Sequence, residues 1–396
     1  MTNTNGQSAS TFVLTVSCDK GYGLVGAEEG TGGNRAEVLC FYGEWSNPMP
    51  WCERYCRLDP NPSVRYECQE PGTSWFKPCP LFVSPGTLVN PVCNSPIYYS
   101  HHSLLYMKCS HGSWNYIAQC MAECGRITPA GEQLVLGGTK AKRGEIPWHV
   151  GIFDKLFDPY RLICGGSIVS NNIVISAAHC FWDDRLKKLP ASNYCVATGK
   201  LYNSYDSKQD DDAQKSEVKE IRIPKLFLGM ENNLQSDIAV LILTTPFEYK
   251  TYVRPVCLNF DKNFDKRQLQ HGKLGKIAGW GLIAANGAPS PVLKVVDLPY
   301  IDWNICINTV RPSFKEFITW DKFCAGYTNG TAVCEGDSGG GLSFADNEQG
   351  VERYYLRGVV SASPNDDQNL CNAFTYSTFT SVAVHDEFIK EYVFIL

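Results

Sequence analysis

Residues 336–340 read Gly-Asp-Ser-Gly-Gly, and two upstream segments supply the partners that the serine of this stretch needs. These are Ser-Ala-Ala-His-Cys at 176–180 and Asp-Ile-Ala-Val-Leu at 237–241. A serine hydroxyl is a poor nucleophile near neutral pH, so a histidine must accept its proton and a carboxylate must hold that histidine in the correct tautomer. The nucleophile, the base and the orienting carboxylate are predicted to be, in that order, Ser338, His179 and Asp237.

Taken singly, each segment has an ordinary structural interpretation, as a turn, a strand start or a structural His-Cys pair. Together, in the order His, Asp, Ser, they resemble the chymotrypsin-type (S1) serine proteases. The resemblance runs from near Val135 to the C-terminus, with one departure at Gly341, where the family usually has proline. It implies an all-β fold of two packed six-stranded antiparallel β-barrels. Further matching segments are Pro147-Trp148, Cys-Gly-Gly-Ser at 164–167, Arg-Pro-Val-Cys-Leu at 254–258, Ala-Gly-Trp-Gly at 278–281 and Phe-Cys-Ala-Gly at 323–326.

The resemblance also implies an activation step. Val135 begins Val-Leu-Gly-Gly, which is similar to the start of the mature catalytic chain in this family. A cut after Leu134 would free an amino group to pair with Asp337, ordering an oxyanion hole made by the amides of Gly336 and Ser338. The alternative is a cut after Lys142 or Arg143, out of register with the family.

The specificity pocket is expected to lack a charge. Ala332, six residues before the nucleophile, stands where trypsin-like enzymes have an aspartate, and alignment places Ser363 and Ser377 on the walls. A pocket with no counter-charge should prefer an apolar residue such as Leu, Phe or Tyr. Because the activation site itself ends in Leu134, self-activation of clustered zymogens is predicted.

Some residues are candidates for modification or pairing, and the resemblance to the protease family implies four disulfides. Asn329 begins a glycosylation sequon, and the acidic run 210–212 is interpreted as a solvated tip, with a calcium loop as the alternative. Cys195 is free, bonded to Cys40, or bonded outside the chain. The disulfides implied in the protease region are Cys164–Cys180, Cys306–Cys324, Cys334–Cys371 and Cys124–Cys257.

Two cysteine-rich segments precede the protease region. The first resembles part of a sushi (complement-control) module, with Cys18 paired to Cys52, and the alternative is an unrelated disulfide-rich domain. The second holds six cysteines and repeats the sushi signals. Its expected pairs are Cys56–Cys109, Cys68–Cys120 and Cys79–Cys93. The predicted organisation is a polar segment at 1–17, a partial sushi module at 18–53, a six-cysteine sushi-like module at 54–121, a linker and activation peptide at 122–134, and the protease domain at 135–396.

Composition favours an extracellular protein. The 396 residues include 18 cysteines without metal-ligand clustering, which indicates an oxidising compartment. The formal charge of -5 with scattered lysines argues against nucleic acid, and no apolar stretch is long enough to span a membrane. We expect no cofactor and no metal. Residues 1–10 lack the features of a signal peptide, so we expect a fragment of a longer precursor, with an isoform that starts differently as the alternative. The secreted form is expected to act in a haemolymph-like fluid.

The combined features resemble the modular serine proteases that start insect innate-immune cascades. That resemblance implies downstream protease zymogens as substrates, upstream pattern-recognition proteins as partners, and a role in the Toll pathway and melanisation. The alternatives are an elastase- or chymotrypsin-like protease outside any cascade, and a non-catalytic protease homologue used as a binding scaffold. The complete set of Ser338, His179 and Asp237 argues against the scaffold.

Overall fold

The computed structural model describes residues 11–26, 35–46, 48–70, 73–95, 97–100, 102–127, 144–281, 289–329, 333, 336–348, 350–364, 372 and 374–393. The chain divides into two compact units, Met1–Glu123 and Cys124–Leu396. Among the described residues, no helix combines the length and the apolar character needed to span a membrane.

The N-terminal unit is built from short antiparallel strands. Alternating side chains drive this: along Arg35–Phe41 every second residue is buried, as expected of a strand with one covered face. The strands of this unit are β1 Thr11–Ser17, β2 Tyr22–Val25, β3 Arg35–Phe41, β4 Glu44–Trp45, β5 Trp51–Arg54, β6 Cys56–Arg57, β7 Val64–Gln69, β8 Lys77–Pro78, β9 Phe82–Val83, β10 Leu88–Cys93, β11 Tyr98–Tyr99, β12 Met107–Ser110, β13 Ser113–Trp114 and β14 Met121–Ala122.

Among the described residues, this unit has two sheets of three or more strands, the first in the order β1-β3-β4 and the second in the order β13-β12-β10-β7-β8. Three two-stranded sheets, β2-β5, β6-β9 and β11-β14, complete it. The second sheet covers a small core centred on Val64, Val89 and Met107. A core this small gives little stability alone, so the disulfides are expected to contribute much of it.

The disulfides of the six-cysteine module correct part of the predicted pairing. Cys56 is joined to Cys109, as expected, and Cys18 to Cys52 in the preceding segment. The expected pairs Cys68–Cys120 and Cys79–Cys93 are wrong, because the structure has Cys68–Cys79 and Cys93–Cys120. Strand pairing explains the change: Cys68 lies opposite Lys77 in the β7–β8 pair, so Cys79 is its near neighbour.

The C-terminal unit contains two closed barrels, which confirms the predicted fold class. The first barrel has the order β15-β16-β17-β22-β21-β20 and the second the order β23-β24-β25-β28-β27-β26. The strands of this unit are β15 His149–Asp154, β16 Arg161–Ser170, β17 Ile173–Ser176, β18 Trp182–Asp183, β19 Lys187–Lys188, β20 Tyr194–Thr198, β21 Gln214–Arg222, β22 Ala239–Leu243, β23 Leu274–Gly279, β24 Lys294–Ile301, β25 Lys322–Ala325, β26 Gly341–Glu348, β27 Val351–Ala362 and β28 Ser377–Ser381.

Helices are short and lie outside the barrels. The α-helices are α1 Lys262–Gln268, α2 Trp303–Thr309 and α3 Asp386–Val393. The 3-10 helices are η1 Ala178–Phe181, η2 Ala191–Asn193, η3 Gly229–Asn232, η4 Pro312–Phe317 and η5 Ala383–His385. Each barrel fills its interior with apolar side chains, such as Val150 and Leu241 in the first and Leu342 and Phe379 in the second.

Candidate active site

His179 and Asp237 come together because two paired strands end side by side. β17 pairs with β22, with Ser176 opposite Ala239. His179 lies in the helical turn that follows β17, and Asp237 lies two residues before β22. The pairing therefore places the imidazole and the carboxylate at the same end of the first barrel.

The Asp237 carboxylate is fully buried and receives three hydrogen bonds. His179 Nδ1 lies 2.8 Å from Oδ2, and the backbone amide of His179 donates to Oδ1 at 2.9 Å. Ser361 Oγ, at the end of β27, donates to Oδ2 at 2.6 Å. Since both carboxylate oxygens accept, His179 is held with a protonated Nδ1, which leaves Nε2 as the proton acceptor.

These contacts keep Asp237 ionised. Burial alone raises the pKa of this carboxyl, but His179, the charge of Lys322 and the Ser361 hydroxyl outweigh burial and hold the pKa below its usual value. The sequence interpretation missed Ser361 and Lys322. Both come from second-barrel strands and neither lies in a recognisable motif.

Ser338 reaches this end from the second barrel through backbone contacts. The Gly165 amide of β16 donates to the Ser338 carbonyl at 2.8 Å, and the Gly339 amide donates to the Val360 carbonyl at 3.0 Å. Gly339 has a φ of 76°, and a Cβ there would lie 2.2 Å from Ser176 Oγ. Only glycine fits so close to the strand that leads to His179.

The predicted oxyanion hole lies in the same turn. Gly336 has a φ of 92°, in the left-handed region that glycine adopts without strain. Gly341, where the family usually has proline, begins β26, and a Cβ at this position would lie 2.2 Å from Ser167 Oγ.

Asp337 is held against the second barrel. Its Oδ1 accepts the Gly281 amide at 2.8 Å. Cβ atoms added at Gly279 and Gly281 would lie 1.9 and 2.2 Å from the Asp337 carboxylate oxygens, so glycine at both positions leaves room for this side chain. Its predicted partner Val135 lies outside the described residues, as does Leu134.

The two predicted pocket walls meet through their hydroxyls. Ser363 Oγ donates to the Val333 carbonyl at 2.9 Å and lies 3.0 Å from Ser377 Oγ. A serine hydroxyl has one proton, so the Ser377 hydroxyl donates in the second contact. Ala332, the predicted floor, lies outside the described residues.

Three of the implied protease disulfides are present. They are Cys124–Cys257, Cys164–Cys180 and Cys306–Cys324. Cys334 and Cys371 lie outside the described residues. The sulfurs of Cys164 and Cys180 lie close to His179, but they are bonded to each other and so do not form a thiolate metal site.

Cys195 and Cys40 are both free and buried, so the alternative in which they pair is not formed. Burial raises the pKa of the Cys195 thiol to about 11, which keeps it protonated at neutral pH. Asn329, the sequon residue, is exposed.

In the acidic run at 210–212, Asp211 is exposed, as expected of a solvated tip, but Asp210 is not. Asp210 is buried and paired with Lys200, whose Nζ lies 3.0 Å from Oδ2. The carboxylate also accepts the amides of Leu201 and Tyr202. The Lys200 ammonium therefore supplies the positive charge that balances Asp210 inside this loop.

Comparisons with known proteins agree with this geometry. Residues 135–385 match the family described as Trypsin. The chain is 30% identical over 376 residues to the Modular serine protease of Drosophila melanogaster, covering 89% of this chain and 55% of that protein. It is 33% identical over 296 residues to Clotting factor C of Tachypleus tridentatus and to Limulus clotting factor C of Carcinoscorpius rotundicauda, covering 72% of this chain and 28% of each relative. The chain thus spans about half of the first relative and just over a quarter of the other two.

Proposed function

The chain belongs to the trypsin family of serine proteases, and from this premise we propose that it is a secreted zymogen of a serine endopeptidase that activates other protease zymogens. The observation that carries the proposal is the bond between His179 Nδ1 and Asp237 Oδ2, at the end of the barrel where the Ser338 loop docks.

The roles proposed for the three side chains follow from their contacts. His179 Nε2 takes the proton as Ser338 Oγ bonds to the scissile carbonyl carbon, and the buried Asp237 stabilises the imidazolium that results. The carbonyl oxygen then carries the negative charge, and the backbone amides of Gly336 and Ser338 are proposed to stabilise it by donating hydrogen bonds to it. Collapse of this intermediate breaks the peptide bond, and His179 gives its proton to the leaving amine. Water repeats the sequence to release the acyl group.

Active-site labelling tests this proposal. A fluorophosphonate that reacts with activated serines should label the activated full chain at Ser338 and abolish peptide cleavage. Ser338→Ala should be neither labelled nor active, whereas Ser192→Ala, which removes an exposed serine of the same unit, should match wild type. A non-catalytic binding scaffold predicts no labelling of any form, and that result would contradict the proposal.

We propose that the specificity pocket is small and binds apolar side chains. The bond between Ser363 and Ser377 ties the two walls together, so the space between them is narrower than separated walls would leave. Aliphatic residues up to the size of leucine should therefore be cleaved better than Phe or Tyr. Leu134 satisfies this preference, which supports cleavage of one zymogen by another at that site.

The place in a cascade is also part of this proposal. The similarity to a modular serine protease and to two clotting factors supports protein substrates of the protease-zymogen class. An innate-immune role, with Toll activation and melanisation as its outputs, is the form of cascade that we propose. An elastase-like enzyme outside any cascade would share the pocket but would not activate a second zymogen when the two are mixed.

A further inference from the structure

The segment that leads into Asp237 has a strained backbone. Three non-glycine residues, Asn233, Leu234 and Ser236, have φ values of 55°, 57° and 60°. Side chains with a Cβ rarely adopt this left-handed region, and such conformations persist only where surrounding contacts hold them. Asp237 follows directly, so whatever holds this segment also sets the position of the carboxylate.

Two neighbouring residues at the start of β25 hold the segment from the second barrel. The Ser236 amide donates to Asp321 Oδ2 at 2.8 Å, and Lys322 Nζ donates to the Asn233 carbonyl at 3.3 Å. Asp321 is fully buried and Lys322 is 6% exposed. The strained segment is therefore held at both ends by buried charged side chains.

Asp321 is itself anchored, so it is a rigid support. Thr319 Oγ1 donates to Asp321 Oδ1 at 2.6 Å, and His385 Nε2 lies 3.7 Å from Oδ2. The Ser381 amide donates to the Asp321 carbonyl at 2.8 Å. The contact to Ser236 thus extends a network that reaches β28 and the C-terminal 3-10 helix.

A buried lysine at this place is costly to the fold. Removing an ammonium from water is unfavourable unless nearby charges and carbonyl dipoles compensate it. Burial lowers the pKa of Lys322, and the carboxylates of Asp237 and Asp321 act in the opposite direction. Among the residues that the structure describes, the charged or titratable groups that face Asp237 or Asp321, besides His179, are Lys322 and His385.

We propose that Lys322 is a positioning residue, which with Asp321 holds segment 233–236 so that Asp237 meets His179, and whose positive charge sets the acid limb of the pH–rate profile. The inference rests on the proposed catalytic roles of Asp237 and His179. Lys322 touches neither substrate nor reacting atoms, and it acts through the carboxylate.

The sign of the electrostatic effect follows from Coulomb's law. A cation beside Asp237 partly cancels the negative charge that favours the imidazolium form of His179, so it opposes protonation of the imidazole. Removing that cation makes His179 easier to protonate. The acid limb of kcat/KM should then move to higher pH.

The test uses two uncharged replacements in the activated full chain. Lys322→Met removes both the charge and the donor to Asn233, whereas Lys322→Gln removes the charge and keeps a donor. In both variants the acid limb of the kcat/KM profile should move to higher pH by roughly half a pH unit to one pH unit. Lys322→Met should also lower kcat about tenfold with little change in KM. Lys322→Gln should retain more of the wild-type kcat, because its amide can still donate to the Asn233 carbonyl and support the strained segment.

Lys200→Met is the matched control, since Lys200 is likewise a buried lysine of this unit and is paired with Asp210. It should lower the Tm and leave the acid limb at the wild-type position. If both Lys322 variants keep the wild-type limb, or if Lys200→Met shifts the limb as far as they do, the proposal is wrong. Lys322→Gln decides the matter if Lys322→Met does not fold. Failure of the proposed function would be recognised separately, because wild type would then show neither labelling at Ser338 nor cleavage.

Discussion

The Asp237 carboxylate forms two hydrogen bonds with His179. Its Oδ2 lies 2.8 Å from the ring Nδ1, and its Oδ1 accepts the backbone amide at 2.9 Å. The ring contact fixes the tautomer, and the backbone contact fixes where the helical turn lies relative to β22. One buried carboxylate therefore sets both the protonation and the position of the proposed base.

Replacing Asp237 by asparagine should separate chemistry from folding. The amide can keep the shape of the contact but offers an NH2 group to one position where the carboxylate accepts, so His179 is expected to hold its proton on the wrong nitrogen. We expect kcat to fall by roughly four orders of magnitude at neutral pH. Steady-state kinetics of the activated variant provide the measurement. The control is Asp302→Asn, at an exposed aspartate of the same unit, and equal activity of both variants would contradict the assigned role.

The buried His149 should make stability depend on pH. Its side chain packs on Trp280 with ring centroids 5.0 Å apart, and its Nε2 has no hydrogen-bond partner among the described residues. Burial lowers the pKa of His149 from 6.5 to about 3. Between these values the unfolded chain binds the proton and the folded chain does not, so stability falls as the pH drops through this window.

The free energy of unfolding should change with pH by up to about 1.4 kcal/mol per pH unit, which corresponds to one proton taken up on unfolding. Denaturant unfolding at a series of pH values from 7 to 4 measures it. His149→Gln should flatten the curve, whereas His271→Gln, which changes an exposed histidine, should leave it as in wild type. An unchanged slope in His149→Gln would show that this group does not titrate on unfolding. Asp237 adds a further loss of stability at lower pH, because its pKa in the folded state is below the usual aspartate value. The stabilisation that it provides is lost as the pH falls through that folded-state pKa.

Breaking the hydrogen bond between Ser363 and Ser377 should widen the specificity pocket and change which side chains it accepts. Ser377→Gly removes the hydroxyl that donates to Ser363, which should admit aromatic side chains. We expect kcat/KM for a Phe peptide to rise about tenfold relative to the matching Leu peptide. An Arg peptide serves as the control and should remain poor, because the substitution introduces no carboxylate. If the Phe to Leu ratio stays constant, the pair does not limit the pocket.

A non-reducing peptide map checks the corrected disulfides. Digestion at acidic pH, which prevents thiol exchange, should yield Cys68 bonded to Cys79 and Cys93 bonded to Cys120. Recovery of Cys79 bonded to Cys93 would favour the pairing expected from the sushi resemblance instead. Cys56–Cys109 is common to both schemes and serves as an internal reference.

The fold and the core of the site could be predicted because their information is local in sequence. His179, Asp237 and Ser338 each sit in a short segment whose flanks are required by strand ends and tight turns. The resemblance of these segments to the protease family therefore also predicted the two-barrel fold, and the two barrels are confirmed.

The remaining parts depend on contacts that no short pattern records. Ser361 and Lys322 act on the Asp237 region from strands more than 80 positions away in the chain. In the six-cysteine module, Cys68 is bonded to Cys79 beside the β7–β8 pairing and not to Cys120 as the resemblance implied. Asp210 was expected in solvent because its neighbours are acidic, but Lys200 and two backbone amides hold it inside.

We propose that this chain is a zymogen activated after Leu134 by its own proposed nucleophile, Ser338. The measurement is incubation of the purified zymogen at rising concentration, with sequencing of the new N-terminus and with Ser338→Ala in parallel. We predict Val-Leu-Gly-Gly as the new terminus in wild type, with second-order kinetics, and an intact Ser338→Ala chain. Absence of a cut at Leu134 in wild type, or equal cutting of the Ser338→Ala chain, would show that Ser338 does not activate the zymogen.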